Sequence, residues 1–212
     1  MNAVNKSFSP NSYHHGDLKN TLIIAAAELI EERGSIDFTM SEAARRAGVS
    51  SGAPYRHFKD KEDLLTRVAE LGFIGLHAAV NQAIEPLPRG SIDRIICSGH
   101  AYMRYVTEKA AFYDLMWGEV LVDTQENAQY TTLGAFNELV DLVDDWVRVE
   151  KLTAEPRELA VKLMAMGHGL VSLKMTKRLN RLAPNLCIFQ CLTDSAYTFL
   201  QGIKDEQTKR LG

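Results

Sequence analysis

The stretch FTMSEAARRAGVSSGAPYRHFKDK, from Phe38 to Lys61, constrains this chain more than any other. Thr39 and Glu42 form the pattern T-x-x-E, a capping box that starts a helix. Ala43, Ala44 and Ala47 give that helix a small-residue face that a neighbour can approach closely. Gly48 stands where the helix must end in a left-handed backbone, which glycine adopts at little cost. Val49 follows as a buried plug, and Ser50 is placed to cap a second, very short helix in which Pro54 lies early enough to be tolerated. Asp60 then caps a third, longer helix. A helix, a glycine turn and a short capped helix have the spacing of a helix-turn-helix unit.

Charge separates this unit from an ordinary helical hairpin. Between Ala43 and Lys59 there is no acidic residue, whereas Arg45, Arg46, Arg56 and Lys59 are basic. Ser50, Ser51, Tyr55 and His57 add donors suited to phosphate oxygens, and Gly52 permits close backbone approach. A solvated basic face would account for the cations alone. It does not account for their coincidence with the caps, the turn and the small residues. The formal net charge of −3 and the isoelectric point near 6.1 do not speak against DNA, because binding uses a local patch. Residues 1–67 hold nine of the 24 Lys and Arg and nine of the 27 Asp and Glu, so the remainder, with 15 and 18, carries the whole deficit.

The segment resembles the DNA-binding domain of the TetR/AcrR family of transcriptional repressors. Thr39, Ala44, Ala47, Gly48, Val49, Ser50, Gly52, Tyr55, His57, Phe58 and Lys61 match that family's pattern, and YHHGDLKNTLIIAAAELIEERG resembles its first helix. The resemblance covers about residues 13–70. In the reading it supports, Ser50, Ser51, Gly52 and Ala53 enter the major groove, while Thr39, Tyr55, His57 and Lys61 hold phosphates. Arg45 and Arg56 are further candidates. Lys61 sits in the first turn of its helix, where a cation opposes the helix dipole, and a phosphate would explain it.

The chain reads as all-α, with a DNA-binding domain at 13–70 and a helical effector-binding and dimerisation domain at 71–212. Ser7 to Ser12 is a polar arm, and His14 and His15 are either groove contacts or a solvated lead-in. Apolar residues recur at helical spacing from Asp17 to Arg33, where Gly34 ends the helix, and again from Asp60 to about Ala83. Pro86 to Gly90 makes the clearest break. Beyond it the sequence predicts helices from Ser91 to Glu108, Ala110 to Trp117, Gln125 to Glu150, Pro156 to about Leu182 (with Thr153 at its opening) and Asn185 to about Lys204. No strand, repeat or low-complexity tract is evident.

In the second domain Tyr102, Met103, Phe112, Met116, Trp117, Phe136, Met164 and His168 are the candidate ligand-binding residues. Aromatic and methionine side chains suit an adaptable apolar pocket, although at helical spacing they also serve as plain core. His168 lies between two glycines, a costly arrangement on a helix that close packing or a ligand contact would justify. GHAYMRYVTEKAAFYDLMW and the later GHGLVSL resemble one C-terminal domain type of the family, which has a Trp where this chain has Met164. That resemblance implies a small hydrophobic effector and a homodimer formed through the last two helices. Leu159, Leu163, Met166, Leu170 and Leu173 mark one apolar stripe there, and Leu192, Ser195, Ala196, Phe199 and Leu200 another. A dimer also doubles the DNA interface of a short recognition helix.

Cys97 with His100, and Cys187 with Cys191, stand one helical turn apart, but two ligands fall short of a tetrahedral metal site. Three cysteines argue against a disulfide framework. No cofactor is expected, and no Ser-His-Asp, paired-carboxylate or phosphate-loop arrangement suggests an enzyme. No apolar run is long enough to span a membrane, and the start lacks a signal-peptide core, so a cytoplasmic location is expected. The function expected is a ligand-responsive repressor released from a palindromic operator. The alternative is an architectural or division-linked DNA-binding protein with no small ligand, whose second domain would be filled.

Overall fold

The structure is a computed structural model, and it describes residues 18–118 and 131–211. The arm with His14 and His15, Asp17 and the expected start of a helix at Gln125 lie outside them.

Local chemistry sets the first half. Helix α1, Leu18–Arg33, turns Leu22, Ala25, Ala26, Leu29 and Ile30 inward and ends at Gly34, whose φ is +64°. Helix α2, Met40–Arg46, begins at the capping box: Thr39 Oγ1 accepts from the Glu42 amide at 3.2 Å, and the Thr39 amide donates to Glu42 Oε2 at 2.8 Å. It ends as glycine allows, with Gly48 at φ +72°, its amide donating to Arg45 O and the Val49 amide to Ala44 O. Helix α3, Lys61–Ile84, starts at Asp60, whose carboxylate accepts from the Asp63 amide at 2.9 Å while Asp63 accepts from the Lys59 amide at 3.0 Å. At about 1.5 Å per residue, α3 is about 36 Å long and joins the two ends of the molecule.

Helix α4, Ile92–Glu108, is capped by Ser91. The Pro86–Gly90 break is held by Arg94, whose guanidinium donates to Leu87 O at 3.1 Å and to Ile84 O at 3.3 Å, the latter also accepting from the Leu87 amide. Helices α5, Ala110–Trp117, and α6, Thr132–Val149, follow, the latter capped by Thr131. Helix α7, Pro156–Met175, is capped by Glu155 rather than opened by Thr153, whose amide goes to Gln207. It stops short of the expected Leu182, because Lys177 takes a left-handed backbone (φ +58°); Leu179–Leu182 then forms the one-turn helix α8. Helix α9 runs over Ile188–Leu211, starting later and ending later than the sequence suggests.

One core joins α1, α2 and α3 to Phe112, Leu115 and Met116 of α5. Packing therefore continues across residue 70. A second core holds α4, α6, α7 and α9 together around Trp146, and a third lies between α4, α7 and α9 around Met103. Leu159 and Leu163 of the first expected dimer stripe, and Leu192, Ala196 and Leu200 of the second, are buried in these cores and thus pack internally.

Candidate nucleic-acid interface and ligand cavity

The reading segment is tighter than a conventional helix. Ser50 to Ala53 form a turn, and Pro54–Arg56 a single 3-10 turn, linked by bonds from the Ala53 amide to Ser50 O, Arg56 to Ala53 O and His57 to Pro54 O. The cap falls on Ala53, without a side-chain bond, and not on Ser50. Phe58, only 2% exposed, and Pro54 anchor the segment to the core, leaving Ser50, Ser51, Gly52, Tyr55, Arg56 and His57 exposed. Tyr55 is 60% exposed, an expensive position for an aromatic ring unless something covers it. Ala53 departs from expectation. At 9% exposed its methyl points into the domain, so it presents no side chain to a groove.

The basic residues fall into two groups. Arg46 reaches back to α1, where it pairs with Glu32 and, at 3.4 Å, with Glu28, and these contacts raise its pKa. Arg33 closes the other side, donating to Glu42 Oε1 at 2.5 Å and Asp37 O at 2.6 Å. Held by Arg33 and then by Thr39, the Glu42 carboxyl is depressed to about 2. Arg45, Arg56 and Lys59 are exposed and form no ion pair among the described residues.

Two expected phosphate contacts have work inside the fold. Thr39 Oγ1 donates to Glu42 Oε2 at 2.9 Å, which occupies its hydrogen. Lys61 Nζ donates to Ile36 O at 2.7 Å and lies 4.8 Å from the centre of the Phe38 ring. The cation in the first turn therefore has an internal reason: it ties α3 to the chain entering α2.

In the second half, a cavity of about 100 Å³ lies between α3, α4, α6, α7 and α9. Of the expected ligand residues, Tyr102, Trp117, Phe136 and Met164 line it. Met103, Phe112 and Met116 do not, and are corrected to core: Met103 is fully buried between α4, α7 and α9, while Phe112 and Met116 pack where a Cβ on Gly72 would come within 2.8 Å of Met116 Sδ. Gly72 thus lets α5 seat against α3.

His168 sits beside the cavity in an aromatic cluster. Its Nδ1 lies 2.7 Å from Tyr102 Oη and its Nε2 3.2 Å from Tyr113 Oη, and its ring stacks on Tyr102. Burial lowers its pKa and favours the neutral ring. Neutral imidazole accepts at one nitrogen and donates at the other, so one tyrosine donates to His168 and the other accepts from it. Burial raises the pKa of both phenols. His100, which the sequence paired with Cys97, instead meets Thr193 Oγ1 at 2.9 Å and Phe189 O at 3.1 Å, joining α4 to α9.

Sequence reasoning missed Glu138. It lines the cavity from α6, and its Oε1 is 2.5 Å from His77 Nδ1 on α3. No sequence signal marked it, since residues one and two apart on a helix do not share a face. Outside the expected dimer stripes, Val161, Ala165 and Gly169 are exposed on α7 and Tyr197, Thr198 and Gly202 on α9.

Comparison with known proteins agrees with this architecture. The profile described as bacterial regulatory proteins, tetR family, matches residues 22–68, and that of a tetracyclin repressor-like C-terminal domain matches residues 96–193. The HTH-type transcriptional regulator BetI of Escherichia coli O127:H6 is 40% identical over 76 residues, 36% of this chain and 39% of that protein. The chain thus spans about two-fifths of the length of that relative. A protein of unknown function from Rhodococcus sp. RHA1 shares the fold with a TM-score of 0.76, at 24% identity over 92% of this chain and 99% of that one. The fatty acid degradation regulator FadR from Bacillus halodurans superposes with a TM-score of 0.61, at 14% identity over 91% and 95% of the two chains. With the capping box, the Gly48 turn and the helical second half matched in their order, this chain belongs to the TetR family of bacterial transcriptional regulators.

Proposed function

We propose that the chain is a homodimeric repressor whose reading segment binds a palindromic operator and whose cavity takes the effector that releases it. One observation carries this reading: α3 serves both ends. Its Leu64, Leu65 and Val68 belong to the core that holds the reading segment, and its Leu76 and Val80 wall the cavity. Two further ties support a transmitted movement. Tyr105 Oη of α4 donates to Gly72 O of α3 at 2.9 Å, and Lys109 pairs with Glu31 of α1. Ligand that displaces α3 changes the separation of two reading segments in a dimer, and half-sites tolerate one separation.

Ser50, Ser51 and Gly52 would meet base edges. Tyr55, His57, Arg45 and Arg56 would hold phosphates and set the register, with Thr39 and Lys61 shaping the surface from within. The dimer would use the exposed faces of α7 and α9 rather than the leucine stripes. Gly169 and Gly202 have open space where a Cβ would stand, so a partner helix could approach closely there. The cavity argues against a second domain that serves only protein contacts.

The test is operator affinity as a function of a ligand that saturates the cavity. The expected coupling is about 1–3 kcal/mol, and by reciprocity operator should weaken ligand binding by the same factor. Unchanged operator affinity with the cavity filled would overturn the release mechanism.

A further inference from the structure

We propose that the effector is a cation: a protonated or quaternary amine on an apolar body, with Glu138 as its counter-ion. This rests on the cavity reading above and specifies its chemistry. The described lining is apolar and aromatic except for Ser98, the polar edges of Tyr102 and Trp117, and Glu138. Ser98 is satisfied within its own helix, its hydroxyl donating to Ile95 O at 2.7 Å, and Tyr102 is engaged with His168. Trp117 Nε1 is a buried donor with no hydrogen-bond partner among the described residues, and Glu138 is the one acidic side chain in that lining, with no Lys, Arg or His beside it there.

The carboxylate is half satisfied. Oε1 meets His77 Nδ1 at 2.5 Å, and His77 Nε2 in turn meets Asn81 Nδ2 at 2.9 Å. Oε2 has no hydrogen-bond partner among the described residues. If His77 is protonated the pair is neutral, and if it is not the pair is negative. In neither state does the cavity hold net positive charge to receive an anion. A fatty acid carboxylate would find no positive charge in that lining to pair with, and a neutral ligand would desolvate Oε2 without replacing its water. A cation satisfies it. The rings of Tyr102, Trp117 and Phe136 add electron-rich surface that favours an ammonium without hydrogen-bond donors of its own. The competing explanation is that Glu138 serves only to tie α6 to α3 through His77.

The two differ in a calorimetric titration of the full chain with three probes of similar size: hexyltrimethylammonium, octan-1-ol and octanoate. The expected order of affinity is cation, then alcohol, then anion. In Glu138→Gln the cation should weaken at least about tenfold while octan-1-ol changes less than about threefold, the alcohol reporting that the cavity is intact. A cation that binds Glu138→Gln as well as the native chain would overturn the proposal, as would octanoate or octan-1-ol binding the native chain more tightly than the cation. Either result with octan-1-ol still bound leaves the cavity reading standing. Binding of none of the three removes both. Should Glu138→Gln fail to fold, the order measured on the native chain decides alone.

Discussion

Glu42 holds the reading segment's geometry at the level of single residues. It caps α2, receives Arg33 from the end of α1 and is fixed by Thr39, and this company depresses its carboxyl from 4.5 to about 2. Its contribution to stability is whole above 4.5 and is lost as pH falls toward 2, where the folded state must also take up the proton. Glu42→Gln should therefore flatten the acid limb of a Tm-against-pH curve between those values. An unchanged limb would show that the carboxylate does not govern it. His168 has the opposite chemistry but the same direction. Burial lowers its pKa below the ordinary 6.5, so the unfolded chain takes its proton first and stability declines as pH falls below 6.5. An NMR titration should place its midpoint below that value; a midpoint at or above it would mean the two tyrosine contacts favour imidazolium. For Lys61, loss of the bond to Ile36 O should make Lys61→Ala about 1–2 kcal/mol less stable in denaturant unfolding, whatever its effect on DNA.

At the scale of elements, how far the chain could be read from its sequence followed the distance between partners. The capping box is written within four residues, Thr39 to Glu42, and the Gly48 turn within six, Ala44 to Val49, and both formed as read. The pairing of Arg46 with Glu32 spans 14 residues and that of Lys61 with Ile36 spans 25, so each depends on how α1, α2 and α3 pack. The sequence counted Arg46 in the basic face and read Lys61 as a phosphate contact. Periodicity likewise marked Met103, Phe112 and Met116 as inward-facing, but an inward side chain meets either a neighbour or a void, and period does not distinguish them. Glu138 was missed for the converse reason: a carboxylate on a helix reads as solvent-facing unless the opposing wall is known. The division of the cations has a consequence for DNA. Arg45 and Arg56, in no ion pair among the described residues, should carry the phosphate contacts, and each one lost should lower the slope of log affinity against log salt by about 0.9 per contact. Arg46→Ala should leave that slope nearly unchanged and reduce stability instead. Equal slopes for Arg45→Ala and the native chain would remove Arg45 from the interface.

For the whole molecule, the proposed function has a long helix shared between a DNA-reading end and an apolar cavity, which would make one equilibrium visible at two sites. The reading segment is plain, with serines and a glycine where longer side chains would reach bases, so in the proposed function one subunit would read little and a two-fold pair would supply the specificity. DNA recognition by this segment is tested most directly by selection of genomic fragments by the full chain, native and Arg45→Ala/Arg56→Ala, at one salt concentration. The native chain should enrich a small set of fragments sharing an inverted repeat, and the double variant, folded by circular dichroism, should lose that enrichment. Absence of any enriched repeat, or the same fragments recovered undiminished by the double variant, would contradict it.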